Sequence, residues 1–430
     1  MLSELKKLTT ETVNAMSDAG VEKSSVTASC SRMVEYNFEF DEPTLLRTTQ
    51  NKSIGLDGIT DFKNASSSLN TWEQESIQNS VKELKSNLAF STPDDGNDIA
   101  EAQPESHFTH GPIKPDKDLL YNRTQEVMDY TQKHFPKVKV EALTSTHATR
   151  YASFSNSNGT LFTSHSGSYG MSMMFSGKDG EETTSFDYFG VSCHDLDKAF
   201  LDYNSNKKKL EYTMMSFDAQ KIPHKFEGQL VMMPGCAGEF VGNLLNFVSG
   251  GALISGKTPF KDHVGKSISS QHLTVLSRPH DASFTSKSYT TGDGYLSQPF
   301  DWVSQGNLNT YAISLYASKK LKKERSPNPG SALIIEPGSK TSDQLIESVK
   351  EGLLVGRFSG GSIGASGDFS GIAKNSFYIK DGKINHAIKE TMISGNLFTM
   401  MNNILGMSSD FHLGSSSKTP FMMVDGITMS

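Results

Sequence analysis

The segment YASFSNSNGTLFTSHSGSYGMSMMFSG, residues 151–177, marks the point where the character of the sequence changes. Small, polar and apolar residues alternate on both sides of Asn158-Gly159, a pair typical of a tight turn between antiparallel strands. The segment therefore predicts a β-hairpin. Beyond a helix predicted at about 207–220, short strand-like stretches separated by Gly, Ser and Pro predominate, and this pattern is typical of a β-rich domain.

Before the hairpin the pattern alternates between helix and strand. Apolar residues at helical spacing predict an opening helix over 1–16, and VTASC and VEYNFEF predict strands that end at a turn, Gly55-Leu-Asp-Gly58. Thr71-Trp-Glu-Gln74 has the form of a capping box at the start of a second helix. A third, amphipathic helix is predicted from about Asp118 to His134, where Pro136 stops it. The residues expected on its inner side are Leu120, Thr124, Val127, Met128 and Thr131.

These patterns predict an α+β protein with two domains. Residues 1–220 are expected to form an α/β domain, a sheet with flanking helices, and the polar, acidic stretch at about 92–118 is expected to be a surface excursion from it. Residues 221–430 are expected to form a β-rich domain like a barrel or a sandwich. A chain of 430 residues suits two domains of ordinary size.

Composition excludes several classes of function. The formal net charge of −7 disfavours general binding to nucleic acid, and the basic run at 319–325 is interpreted as a short solvated loop. No apolar run of membrane-spanning length occurs, and the first residues do not resemble a signal peptide. Three widely spaced cysteines form neither a disulfide framework nor a zinc motif, so we expect a cytoplasmic protein without membrane association.

The sharpest motif match is to a phosphate-binding loop. GALISGKT at 251–258 fits GxxxxGK[ST], and FMMVD at 421–425 resembles the strand that accompanies it. In a true P-loop a helix begins at the lysine, but Thr258 is followed by Pro259 and an early glycine at Gly265. We therefore interpret the match as a glycine-rich loop and keep nucleotide binding as an alternative.

Two further patterns partly match hydrolytic motifs, but neither matches completely. Gly360-Gly-Ser362-Ile-Gly364 fits the nucleophile elbow GxSxG, although the glycine-rich sequence after it does not predict the required helix. The twelve histidines form no HExxH pattern, and in Cys193-His194-Asp195 consecutive side chains point in different directions. An independent hydrolase that uses Ser362 or Cys236 remains an alternative hypothesis.

Several segments of the second half, in their order along the chain, resemble the TldD/PmbA metallopeptidase family. SGDFS at 366–370, IKDGKI at 379–384 and ISGNL at 393–397 are similar to the family's "GdFS…I.dGki…i.GNl" signature. The other matching segments lie at 221–223, 228–234, 234–250, 264–266, 293–294, 352–361 and 402–404.

The resemblance implies a specific site at which this chain departs from the catalytic members. Those members carry HExxxH on a helix and a later cysteine, which bind a metal ion for peptide hydrolysis. The two histidine positions correspond to Met233 and Gly238, the glutamate to Pro234 and the cysteine to Val355. None of these provides a hard ligand or a base, so the resemblance implies no catalytic residue, no metal and no cofactor in this chain.

This pattern is similar to the TldE/PmbA side of the family. The resemblance then implies a non-catalytic subunit of a TldD/TldE-type heterodimer that acts on unfolded peptides, with a zinc-like divalent metal in the TldD-like partner. A homodimer is the alternative assembly. Phe358, Ser359, Gly360, Gly361 and Ser362 are our candidate for backbone that lies near peptide, because glycines permit close approach. The other interpretation is that these glycines only form tight turns.

Overall fold

The computed structural model describes residues 1–40, 42–328 and 330–430. The first half contains helices α1 (Leu2–Asp18), α2 (Gln74–Phe90), α3 (Lys117–His134) and α4 (Asn206–Met215). Its strands are β1 (Lys23–Glu39), β2 (Glu42–Thr60), β3 (Lys63–Leu69), β4 (Ser106–His110), β5 (Val138–Asn156), β6 (Leu161–Asp179), β7 (Glu182–Thr183) and β8 (Asp187–Cys193).

These strands form one sheet in the order β3-β2-β1-β5-β6-β4, with β7 and β8 also paired to β6. The predicted hairpin is confirmed: β5 and β6 are antiparallel, and Gly159 occupies the turn with a φ of 93°. All pairs are antiparallel except β4 with β6. Helices α1 and α2 pack together on one part of the sheet through Leu5, Met16 and Leu84, all fully buried.

The turn predicted at Gly55–Gly58 is wrong, since both glycines lie inside β2. The chain instead turns at Asp61 and Phe62, which have φ values of 51° and 60°. Gly58 serves packing, because a Cβ there would lie only 2.7 Å from Cδ2 of Leu84 on α2. The glycine thus lets α2 approach the sheet closely.

The second helix is confirmed, but its predicted capping box is not. Helix α2 begins at Gln74 after Glu73, and its N-cap makes no side-chain hydrogen bond. The Thr71 hydroxyl instead accepts from the Glu73 N–H at 3.3 Å, which fixes the turn before the helix. The third helix, α3, begins one residue before its predicted start and is capped by Asp116.

The polar stretch at 92–118 is more ordered than a surface excursion. It contains β4, which joins the sheet, and its acidic part contacts the second half of the chain. Lys320 Nζ lies 3.0 Å from an Asp94 oxygen and 2.8 Å from an Asp95 oxygen, and Lys319 Nζ lies 2.8 Å from Asp98. The prediction of a solvated loop at 319–325 is therefore wrong for these two lysines. They lie in the last turn of a short helix, Leu315–Leu321, and their ion pairs connect the two domains.

The second half contains helices α5 (Pro234–Phe247), α6 (Gly250–Ser255), α7 (Leu315–Leu321), α8 (Ser342–Glu347) and α9 (Leu397–Asn402). Its strands are β9 (Phe226–Met232), β10 (Val275–Ser277), β11 (Phe300–Ser304), β12 (Asn307–Leu308), β13 (Leu333–Ile335), β14 (Glu351–Val355), β15 (Arg357–Gly360), β16 (Asp368–Lys374), β17 (Phe377–Lys380), β18 (Lys383–Ala387), β19 (Thr391–Asn396), β20 (Ile404–Leu413) and β21 (Ser417–Met429).

The strands of the second half form a larger, branched sheet whose main path is β12-β11-β10-β13-β21-β9-β14-β17-β18. Strands β15, β16, β19 and β20 branch from it through β21. The predicted α+β class, with a sheet domain in each half, is confirmed, and the strands of the described residues do not close into a barrel. Helix α5 lies on this sheet and contributes Phe240 and Leu244 to the main core.

The chain passes from the first sheet to the second between α4 and β9, the interval that contains the predicted boundary at 220/221. Tyr212 of α4 already packs against the second sheet, with its ring 4.9 Å from that of Phe377. Helix α4 therefore contributes to the surface between the two domains. Within the described part of the chain, no helix is both long and apolar enough to cross a membrane.

Candidate functional site

The P-loop-like segment at 251–258 has the wrong geometry for phosphate. Helix α6 ends at Ser255, and Gly256 caps its C-terminus with a φ of 67°. Lys257 and Thr258 therefore follow the negative end of a helix, whereas a P-loop lysine opens one. The alternative hypothesis of nucleotide binding at this segment has no support from its backbone.

Ser362 lies in the loop of the β15–β16 hairpin and is exposed. A strand follows the loop instead of the helix that a nucleophile elbow requires. The Ser362 hydroxyl makes no hydrogen bond to any residue that the structure describes, so no base is positioned to activate it.

The segment proposed to lie near peptide divides into a buried and an exposed part. The Phe358 ring is buried against those of Phe240 and Phe369, with centroids 5.3 and 5.8 Å away. Residues 359–362 are exposed. A Cβ on Gly360 would lie 2.7 Å from the facing Gly371 Cα, so this glycine is needed for the hairpin itself, whereas nothing lies within 4 Å of a Cβ on residue 361.

The structure brings together the residues at the family's metal positions. Met233 is the N-cap of α5, Pro234 is its first residue and Gly238 lies in its second turn. Val355 is the last residue of β14, which is parallel to β9, and its carbonyl accepts a 2.9 Å hydrogen bond from the Met233 N–H. A strand-to-helix junction and the end of a neighbouring strand thus meet at one point.

The side chains at this point do not fit a divalent metal such as zinc. A thioether, a glycine and a valine offer no imidazole, thiolate or carboxylate, and proline cannot act as a base. Two other side chains with donor atoms lie nearby, namely Cys236 and Glu239. Cys236 is buried, and burial, together with the charge of Glu239, raises the pKa of its thiol. Across the described residues, no group of three or more His, Cys, Asp or Glu side chains could hold a metal.

His194, from the Cys193-His194-Asp195 segment, is not among the residues at this junction. His110 on β4 and His194 lie near each other, with ring centroids 6.2 Å apart, and burial is the main cause of the lowered pKa of His110. Cys193 is buried, which raises the pKa of its thiol to about 12. The His110 ring also contacts that of Tyr289, with centroids 5.4 Å apart, so His110 takes part in aromatic contacts.

Sequence reasoning missed the cavity beside the Met233 junction. It has a volume of about 290 Å³ and lies between the two domains, where α4 and β8 face α5. Arg357, two residues beyond Val355, lines it. No sequence signal distinguishes this arginine from others, since its role depends on the partners that surround it.

Comparison with known proteins gives a family match for the second half of the chain. Residues 227–430 match the family model described as the PmbA/TldA metallopeptidase C-terminal domain. The chain is also similar to the protein named metalloprotease PmbA homolog from Haemophilus influenzae, with 23% identity over 89% of this chain and 86% of that protein. A protein named metalloprotease from Methanothermobacter thermautotrophicus is 29% identical over 43% of each chain.

Solved structures extend the similarity of fold to the whole chain. The crystal structure of a proposed modulator of DNA gyrase from Bacteroides thetaiotaomicron has a TM-score of 0.88 and 22% identity, covering 99% of both chains. The crystal structure of TldE from Thermococcus kodakarensis has a TM-score of 0.85 and 16% identity, covering 98% of this chain and 99% of that one. At these identities the match concerns the fold.

Proposed function

The chain belongs to the TldD/PmbA family, and from this premise we propose that it is a non-catalytic, TldE/PmbA-like subunit of a metallopeptidase heterodimer. A role in a peptidase family agrees with the names of its relatives. The partner would be a TldD-like subunit that carries HExxxH and a zinc-like metal, and the substrates would be unfolded peptides.

One observation carries this proposal: all the family's ligand positions are replaced together. Met233, Gly238 and Val355 provide no metal ligand, and Pro234 provides no general base. Among the described residues, neighbouring side chains do not form a replacement metal site. Cys236 is buried with a raised thiol pKa, and metal binding requires the thiolate. The strand-to-helix junction itself is formed, since β9 leads into α5 and β14 lies parallel to β9.

The peptide would lie along β15. This strand pairs only with β16 among the described strands, so its other edge is unpaired. The exposed end of this edge, Ser359 and Gly360, continues into the exposed loop residues 361 and 362. An extended peptide can add to such an edge through main-chain hydrogen bonds, with little dependence on its sequence. This arrangement suits an assembly that accepts unfolded chains.

The three cysteines support a cytosolic location. Cys30, Cys193 and Cys236 are all free and buried, and none forms a disulfide. Free thiols are usual in a reducing compartment.

The decisive experiment compares the purified chain, a TldD-type subunit from the same organism, and their mixture. We expect no stoichiometric metal in this chain, no cleavage of casein by it, and chelator-sensitive cleavage by the mixture in excess of the TldD-type subunit alone. A mixture that contains a TldD-type subunit with its HExxxH glutamate changed to glutamine is the control. Stoichiometric metal in this chain, or cleavage by it alone, would refute the proposal, and so would a failure of the two chains to co-elute.

The peptide edge has its own test in the same mixture. Gly361→Val adds a side chain to the loop directly after the exposed end of β15, and no atom lies within 4 Å of a Cβ there. We expect it to slow casein cleavage severalfold while the two subunits still co-elute. Gly55→Val is the matched control, since it also has open space but lies in the other sheet. Equal rates for both variants would remove the exposed segment 359–362 from the proposal.

A further inference from the structure

The cavity beside Met233 is a formed pocket between the domains. Its volume of about 290 Å³ is close to the lower limit for small-molecule sites, about 300 Å³. Much of its wall is apolar or aromatic, and this part is formed by Tyr188, Phe189, Tyr212, Met233, Phe411 and Phe421. A small ligand with an apolar part could lose most of its contact with water there.

Two of the three cations that line the cavity are already paired. Lys208 Nζ lies 2.5 Å from Asp343, and Lys209 Nζ lies 3.5 Å from Asp187. Each pair balances its own charge, so neither lysine needs an additional anion. The third cation, Arg357, is different.

Arg357 has no anionic partner and no hydrogen-bond acceptor among the residues that the structure describes. Its Nε atom is buried without an acceptor, and its guanidinium lies 4.7 Å from the centre of the Phe186 ring. A buried donor of a permanently charged group is costly unless it is paired. A guanidinium presents a planar fork of N–H groups that matches a carboxylate. The cavity therefore contains one unused site for an oxyanion.

Helix α5 adds donors to the same cavity. It is 14 residues long, and its N-cap, Met233, provides no side-chain hydrogen bond. Pro234 has no N–H, and the N–H groups of Gly235 and Cys236 have no partner within the described part of the chain. Both residues line the cavity. These free N–H groups and the helix dipole favour an anion beside Arg357.

The remaining charges of the wall select a singly charged group. Asp410 and Glu239 also line the cavity; Asp410 accepts from the Ser342 N–H at 2.6 Å, and Glu239 is exposed at the rim. These carboxylates would repel a phosphate dianion, but Glu239 would attract the ammonium group of a zwitterion. We propose that this cavity binds a free amino acid or a short peptide, with its carboxylate held by Arg357 and the first N–H groups of α5.

The proposal does not depend on a partner subunit and can be tested on the full chain alone. Titration calorimetry would compare the dipeptide Ala-Ala, its C-terminal amide and inorganic phosphate. We expect saturable binding of Ala-Ala with a Kd on the order of 1 mM, as suits so small a ligand. The amide should bind at least about tenfold more weakly, because it cannot form the charge-assisted pair.

Arg357→Gln should weaken Ala-Ala binding by about tenfold or more. Arg278→Gln is the matched control, since Arg278 pairs with Asp301 outside the cavity, and it should leave binding unchanged. If Arg357→Gln does not fold, Arg357→Lys keeps the charge without the fork and should still weaken binding. Absence of Ala-Ala binding to the folded chain, equal binding of the amide, binding of phosphate alone, or wild-type affinity in a folded Arg357 variant would each overturn the proposal.

Discussion

Replacement of Asp293 by alanine should destabilise the C-terminal domain strongly. Its carboxylate accepts from Arg325 at 2.7 and 2.9 Å, from the Thr291 hydroxyl at 2.5 Å, and from the Leu315 N–H, at the start of α7, at 2.8 Å. The Arg325 guanidinium also lies 4.0 Å from the centre of the Tyr295 ring. One side chain therefore connects a turn, a helix N-terminus and a buried arginine.

The expected magnitude follows from burial. The side chains of Asp293 and Arg325 are only 17% and 15% exposed. Removing one member of a buried pair costs about 3–5 kcal/mol, because the other charge is left without a partner. The residual exposure favours the lower end, about 3 kcal/mol. Removing both charges with Asp293→Ala/Arg325→Leu should recover part of this loss, since no charge then remains unpaired.

The two tryptophans allow the C-terminal domain to be observed alone. Trp302 is buried in the second sheet and Trp72 lies in the first domain, so a Trp72→Phe background leaves one reporter. Urea unfolding followed by its fluorescence would give the free energy of unfolding with and without Asp293→Ala. Asp301→Ala is the control, because its pair with Arg278 is 44% and 32% exposed and should contribute about 0–1 kcal/mol. Equal losses in the two variants would refute the reasoning from burial.

Three further predictions concern pH, packing and thiol reactivity. Although burial opposes the shift, the pKa of the Asp293 carboxyl lies below its usual value, because the hydrogen bonds that it accepts outweigh the effect of burial. The stabilisation that this carboxylate contributes is therefore fully present above the unfolded pKa of about 3.9 and is lost as the pH falls through the folded pKa. The difference in unfolding free energy between wild type and Asp293→Ala should therefore shrink between pH 7 and pH 3. Gly58→Ala should cost about 1–3 kcal/mol in urea unfolding, because its Cβ would meet Leu84, whereas Gly55→Ala should be tolerated. Cys236, buried with a raised thiol pKa, should react with a thiol reagent only after unfolding in urea, and rapid native labelling would contradict its burial.

Helices with a regular apolar period were predictable from the sequence. The residues predicted to face inward on α3 are the buried ones in the structure, namely Leu120, Thr124, Val127, Met128 and Thr131. Such a pattern is local, because the side chains three and four residues apart share one face of the helix. The β5–β6 hairpin was predictable for the same reason, since its turn signal lies within the segment itself.

Features that depend on distant partners were not predictable. The turn signal at Gly58 was misleading because the glycine makes room for Leu84, on a helix that follows later in the chain. Lys320 looked like part of a solvated basic run, yet its partner Asp95 is 225 residues away in sequence. A glycine or a lysine has several structural uses, and only tertiary packing decides between them.

The candidate site shows the same division between residue identity and environment. The loss of ligands at Met233, Gly238 and Val355 is visible in the sequence, because a side chain without a donor atom cannot bind a metal in any surroundings. The proposed role of Arg357, in contrast, cannot be seen in the sequence. Arginines are common on protein surfaces, and this one is a candidate binding group only because no carboxylate of the described residues pairs with it. Its cavity is built from α4, β8, α5, β20 and the β14–β15 junction, segments that are separated by up to about half of the chain. The absence of metal ligands is thus determined by the residues themselves. A carboxylate-binding site at Arg357 would instead be determined by the packing between the two domains, and the comparison of Ala-Ala binding to the wild type and to Arg357→Gln tests this.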